Sequence, residues 1–134
     1  MHVRISSPVG HFPDAEVIAK GQQIAQNTGG SVKILTDPVE AVSGADVVIT
    51  DTWISMGKEE ETDRRLAIFA DYAVDEALLA HAAADAVVMH CLPAYRGKEI
   101  SAAVIDGAQS VVWQEAENRR HAQKAVMAWL WERR

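Results

Sequence analysis

Cysteine is almost absent from this chain: Cys91 is the only one among 134 residues. One thiol cannot form an internal disulfide, and with the five histidines scattered it leaves no ligand set for a structural zinc. No metal is therefore expected. A lone thiol also points to a reducing compartment, the cytoplasm. Long apolar runs are missing as well. None nears the ~18–20 residues that span a bilayer, and the opening Met-His-Val-Arg-Ile-Ser-Ser-Pro lacks the apolar core of a signal peptide. Basic residues are in deficit, 13 against 19 acidic, for a net charge of −6. That balance argues against nucleic acid or an anionic membrane as partner. Neither the GxGxxG nor the GxxxxGK pattern occurs, so no glycine-rich phosphate loop is expected. Repeats, low-complexity segments and linkers are absent too.

What remains is an ordinary globular composition, 49% hydrophobic, in a length that fits one domain. Such a chain buries roughly 65–70% of its unfolded surface. Strand and helix signals alternate. Residues 3–6 alternate apolar and polar. Pro13 and Asp14 open a helix with Val17, Ile18, Gly21, Ile24 and Ala25 on one face, stopped by Asn27, Thr28, Gly29 and Gly30. Residues 31–36 form the next strand. Asp37, Pro38 and Glu40 are a helix start: acceptor at the cap, proline at the first position, glutamate at the third. Residues 46–50 are apolar on both faces, as a central parallel strand requires. The charged stretch 58–65 reads as a solvated helix face or loop, after which Leu66, Phe69 and Tyr72 return to the core. A short helix at 75–82 precedes a strand ending at His90, a last strand covers 110–113, and a terminal helix over 115–134 carries Ala122, Ala125, Val126, Trp129 and Leu130 on one stripe. This alternation predicts an α/β fold with a largely parallel sheet.

Two strand ends carry polar groups. The run 86–89 leads into His90-Cys91-Leu92-Pro93, and the run 46–50 ends in Asp51, followed by Thr52, Trp53, Ile54, Ser55, Met56 and Gly57. Open α/β sheets bind ligands at the carboxyl ends of their strands, so Asp51 and Cys91 on one edge would form a small polar site. Each has a plain alternative: a turn acid for Asp51, a passive core residue for Cys91. Neighbouring residues on a strand point to opposite faces, which leaves His90 and Cys91 unable to share a metal or a proton. Glu115 suits the positive end of the terminal helix. Arg119, Arg120 and His121 do not, and point either to a ligand or partner or to a merely exposed charged turn.

Together these segments resemble ornithine carbamoyltransferases over residues 1–8, 46–57, 86–97 and 112–124. The His90-Cys91-Leu92-Pro93 block is close to diagnostic for that family, 51–57 resembles its ornithine-side loop, and Glu117, Asn118, Arg119 and His121 match the start of its final helix. The resemblance implies a Rossmann-like, doubly wound, mostly parallel sheet. It implies that Asp51, Ser55 and Met56 bind L-ornithine, that Cys91 and Leu92 line the meeting point of the two substrates, and that Arg119 faces carbamoyl phosphate. Catalysis would rest on Cys91, positioning the amine as thiol or thiolate rather than forming a covalent intermediate, and on Arg119. No cofactor is implied.

The departures from the family are equally definite. Its members are roughly twice this length, with a preceding carbamoyl-phosphate domain whose Ser-Thr-Arg-Thr and His-Pro-Thr/Cys-Gln motifs do not occur here. The first strand and helix of the ornithine domain, with an ornithine-binding asparagine, are missing as well. Residues 1–134 therefore read as the ornithine-binding portion of such an enzyme, inactive alone. The alternatives are a non-catalytic ornithine-binding or interaction module, and a sister carbamoyltransferase using another amine, which the His90–Pro93 block disfavours. Without the central strand, 3–6 and 46–50 would flank a slot. The expectation is a homo-oligomer or a poorly stable monomer that fills the slot by association, by swapping an element, or by pairing those strands directly.

Overall fold

Most of the alternation of elements read from the sequence recurs in a computed structural model, which describes residues 1–54 and 62–133, with residue 62 in backbone only. Strand β1 (His2–Ser6) leads through helix α1 (Ala15–Thr28) to strand β2 (Ser31–Leu35), which pairs with β1 in parallel, His2 opposite Ser31. Asp14 caps α1 by accepting the Glu16 N–H. Gly29 ends the helix at φ 70°, a conformation that costs glycine nothing. At Gly30 a Cβ would lie 2.2 Å from the Met1 carbonyl oxygen, so only glycine lets this turn pass the start of β1.

Helix α2 (Pro38–Val42) starts as expected: Asp37 accepts the Val39 N–H at 2.8 Å, with Pro38 in the first turn. Arg4 closes its other end, donating to Ser43 O at 2.8 Å and Glu40 O at 3.2 Å. Strand β3 (Val47–Thr50) follows, then α3 (Thr62–Phe69), a 3₁₀ turn (Ala70–Tyr72) and α4 (Glu76–Leu79), capped by Asp75. Strand β4 (Val87–His90) pairs with β3 in parallel, Thr50 opposite His90. Short helix α5 (Ala102–Ile105) and long helix α6 (Val112–Trp131) complete the order.

Among the described residues, four strands make two separate parallel pairs, β1-β2 and β3-β4. Between β1 and β3 lies a cleft of about 710 Å³ lined by residues 1–6, 44–47, Ala41 and Ile49. A doubly wound sheet runs 3-2-1-4-5, so the cleft stands where that order places its first strand. The fold is α/β and Rossmann-like, as the sequence implied. Direct pairing of the two flanking strands, one of the expected ways of filling the slot, is not what forms.

The core sits on the β3–β4 side: Val48, Val74, Leu78, Val88, Ile100, Val104, Ile105 and Val112 cluster there. Four sequence expectations are corrected. β3 is buried only through Val48, while Val47 and Ile49 are 46% and 66% exposed, because both face the open cleft. On α1 only Ala25 is buried, and Val17 and Ile24 are exposed; Gly21 lets the helix lie close on Val32, and this narrow contact leaves the rest of the stripe uncovered. The last strand shrinks to one parallel bridge, Ser110 to Val88, since the chain is already helical at Val112. Finally, α6 packs through its first turn, with Val112 fully buried, and the expected stripe from Ala122 to Leu130 is exposed.

Candidate active site

Parallel pairing of β3 with β4 in register brings the next residues of both strands, Asp51 and Cys91, side by side beyond the carboxyl edge. The Cys91 thiol donates to Asp51 Oδ1 at 3.1 Å, and the same oxygen accepts the Thr52 N–H at 2.7 Å. Cys91 is exposed. The Asp51 hydrogen bond, then burial and the negative charges of Asp51 and Glu115, push its thiol above the ordinary value. Beside an acceptor carboxylate the neutral thiol is the favoured form.

Arg119 reaches the same edge from α6, its Nη1 donating to the Cys91 carbonyl at 3.3 Å. Leu92 follows Cys91 at φ 57°, joined to Pro93 by a cis peptide bond. A positive φ is unusual outside glycine and gathers at functional turns. The structure thus brings together Asp51, Cys91, Leu92 and Arg119. Ser55 and Met56 lie outside the described residues. The adjoining stretch is held by Arg65 of α3, whose Nε donates to Trp53 O at 2.8 Å, so this member of the charged run is a brace rather than a solvated residue. Arg120 and His121 pair with Glu117 on the surface at 3.3 and 3.7 Å, which leaves Arg119 as the one of the three that meets the site.

His90 is turned inward as strand alternation predicts, but it is not kept as far from Cys91 as alternation implies. It is fully buried and faces away from Cys91's solvent side, toward the buried Glu99. Its Nδ1 accepts the Leu92 N–H at 2.9 Å, which assigns the Nε2–H tautomer, and Nε2 lies 3.3 Å from Glu99 Oε1. Glu99 Oε1 also accepts the Tyr95 N–H. Because Cys91 lies past the end of β4, a His90 nitrogen, the Cys91 sulfur and an Asp51 oxygen fall within 4.8 Å of one another, closer than alternation along a strand suggested. Both ring nitrogens lie within hydrogen-bond reach of partners, Nδ1 with the Leu92 N–H and Nε2 with Glu99. Sequence reasoning missed Glu99 and the contact of Glu115 with β4, where Oε2 accepts the His90 N–H at 3.0 Å. The only signal for Glu115 was an acid in a helix's first turn; for Glu99 there was none.

Residues 1–130 match the family described as aspartate/ornithine carbamoyltransferase, Asp/Orn binding domain. The chain belongs to this family. It is 64% identical over 133 residues to the ornithine carbamoyltransferase of Renibacterium salmoninarum, covering 99% of this chain and 43% of that protein. Against that of Clavibacter sepedonicus the identity is 63% over 130 residues, covering 97% and 42%. The solved ornithine carbamoyltransferase of Pyrococcus furiosus superposes with a TM-score of 0.90 at 50% identity, over 95% of this chain and 41% of that one. This chain therefore spans less than half the length of the relatives it matches. Among the described residues, no helix is long and apolar enough to cross a membrane.

Proposed function

We propose that residues 1–134 are the ornithine-binding portion of an ornithine carbamoyltransferase, which moves the carbamoyl group of carbamoyl phosphate onto the side-chain amine of L-ornithine, giving citrulline and phosphate. One observation carries the reading. At the carboxyl ends of two paired parallel strands, the Asp51 carboxylate meets the Cys91 thiol at 3.1 Å, with the Arg119 guanidinium on the Cys91 carbonyl.

In the reaction the neutral side-chain amine attacks the carbamoyl carbon, the bond from that carbon to the phosphate oxygen breaks, and phosphate leaves with the electron pair. The amine gives up a proton to the departing phosphate as the new bond forms. Asp51 holds the α-amino group of ornithine by a charge-assisted hydrogen bond, which fixes the direction of attack. Arg119 stabilises negative charge growing on the carbamoyl oxygen. Cys91, as a thiol, positions the reacting amine, and Leu92 lines the meeting point of the two substrates. Ser55 and Met56 complete the ornithine side. No cofactor enters this scheme. The working protein is a cytoplasmic homo-oligomer in which Cys91, Leu92 and Arg119 meet the carbamoyl group and the phosphate motif comes from outside residues 1–134.

The test combines two measurements. Calorimetric titration of the 134-residue chain with L-ornithine should show binding that Asp51→Asn weakens. Citrulline formation from both substrates should be undetectable with this chain alone, because no group here replaces the family's phosphate motif. Turnover by the purified chain overturns the division of labour, and absence of ornithine binding overturns the assignment of the site.

A further inference from the structure

A parallel ladder extends along the edge of β4 that faces away from β3. The Val88 N–H donates to Gln109 O at 2.8 Å, and Val88 O accepts the Val111 N–H at 2.9 Å. The next donor on this edge is the His90 N–H, two residues on. By then the neighbouring chain has turned into α6 at Val112 and has no carbonyl to present. The Glu115 carboxylate takes the missing place, Oε2 at 3.0 Å. It sits half-buried in the first turn of α6, where the positive end of the helix favours a carboxylate. One turn later on the same face, Arg119 donates to Cys91 O at 3.3 Å.

We propose that Glu115 is a positioning residue of the Asp51–Cys91 site: with Arg119 it clamps the backbone on both sides of Cys91 to α6. Glu115 holds the His90 N–H and Arg119 the Cys91 carbonyl, so the thiol is held against Asp51. Continuing the β4 ladder with a side chain also lets the helix begin where a strand would otherwise run on, and this puts Arg119 at the strand ends. The charged groups facing Cys91 are Asp51 from the end of β3 and Glu115 and Arg119 from α6; a ring nitrogen of the buried His90 also lies within 4.8 Å of the Cys91 sulfur. The proposal rests on the reading of Asp51 and Cys91 as the site that meets the ornithine amine, although its test does not need ornithine.

Cys91 is the only thiol, so the rate of iodoacetamide alkylation of the 134-residue chain against pH follows one group. Glu115→Ala removes the acceptor and the charge; Glu115→Gln keeps a neutral acceptor for the His90 N–H. Alkylation at high pH should rise severalfold in Glu115→Ala, as Cys91 comes free of Asp51, and return near the parent rate in Glu115→Gln. Both variants should move the alkylation midpoint to lower pH, since both remove a negative charge facing the thiol. Should Glu115→Ala fail to melt cooperatively, Arg119→Ala, which removes the other arm of the clamp, takes its place, and its alkylation at high pH should likewise rise severalfold. Parent-like profiles in the variants that fold, in a series where Asp51→Asn does shift the midpoint, overturn the proposal. A shifted profile in a chain that does not bind L-ornithine supports the clamp and sinks the functional reading instead.

Discussion

At the scale of single residues, the decisive contact joins two side chains 40 residues apart, Cys91 and Asp51. The carboxylate makes the thiol harder to ionise, and this has a consequence for stability. A thiol whose folded value is raised retains its proton in the native state at a pH where the unfolded chain has lost it. Its contribution is complete below the ordinary thiol range near 8.5 and is lost as pH rises through the raised folded value. Chemical-denaturation midpoints should accordingly fall above about pH 8.5, and Asp51→Asn should flatten that fall. The same substitution should cost about 1.5–3 kcal/mol of ornithine binding, the range for a hydrogen bond to a charged group, with a smaller effect on any step that involves carbamoyl phosphate. Denaturation curves independent of pH in that window would remove Cys91–Asp51 as a coupled pair.

At the scale of elements, much was legible because the governing signals are local. The cap at Asp37 with Pro38 behind it was read from four residues, and it forms with Asp37 accepting the Val39 N–H. Helix α2 packs against β1, and Arg4 seals its far end. Asp37→Ala should therefore lower stability by about 1 kcal/mol, a drop in Tm of a few degrees measured by circular dichroism, with the Cys91 alkylation profile unchanged. An unchanged Tm would mean that Pro38 alone starts the helix. Where the signal was not local, the reading erred. Residues 110–113 have the composition of a strand, but Gln109, Ser110 and Val111 supply only one bridge to Val88 before the core position of Val112 draws the chain into α6. The stripe on α6 has helical spacing, yet among the described residues it stays exposed, with the Arg133 guanidinium 4.0 Å over the Trp129 ring; amphipathic spacing shows that a face could be covered, not that it is.

At the scale of the whole molecule, the cleft between β1 and β3 is the main liability. Two parallel pairs face it with one open edge each, and Val47 and Ile49 line it while exposed. Open strand edges beside apolar side chains favour association. Sedimentation velocity of the chain should show concentration-dependent association, and Ile49→Lys, which places a charge on that wall, should shift it toward the monomer. A compact monomer at every concentration, unchanged by Ile49→Lys, would show that the cleft is not the surface through which copies meet.

Most of the order of strands and helices, the helix starts at Asp14 and Asp37, and the placing of Asp51 and Cys91 at strand ends follow from the sequence alone. Periodicity, capping and turn chemistry act over a few residues, and the first polar residue after an apolar strand stands at its end in any packing. Only the tertiary structure decided which strand ends meet. The parallel register of β3 with β4 sets Asp51 against Cys91, and the angle at which α6 leaves the β4 edge gives the His90 N–H to Glu115 and the Cys91 carbonyl to Arg119. The same holds for the burial of His90 with Glu99 and the exposure of Val17, Ile24 and Ile49. Burial depends on what lies opposite a side chain, and residues distant in sequence supply that neighbour or leave the face open.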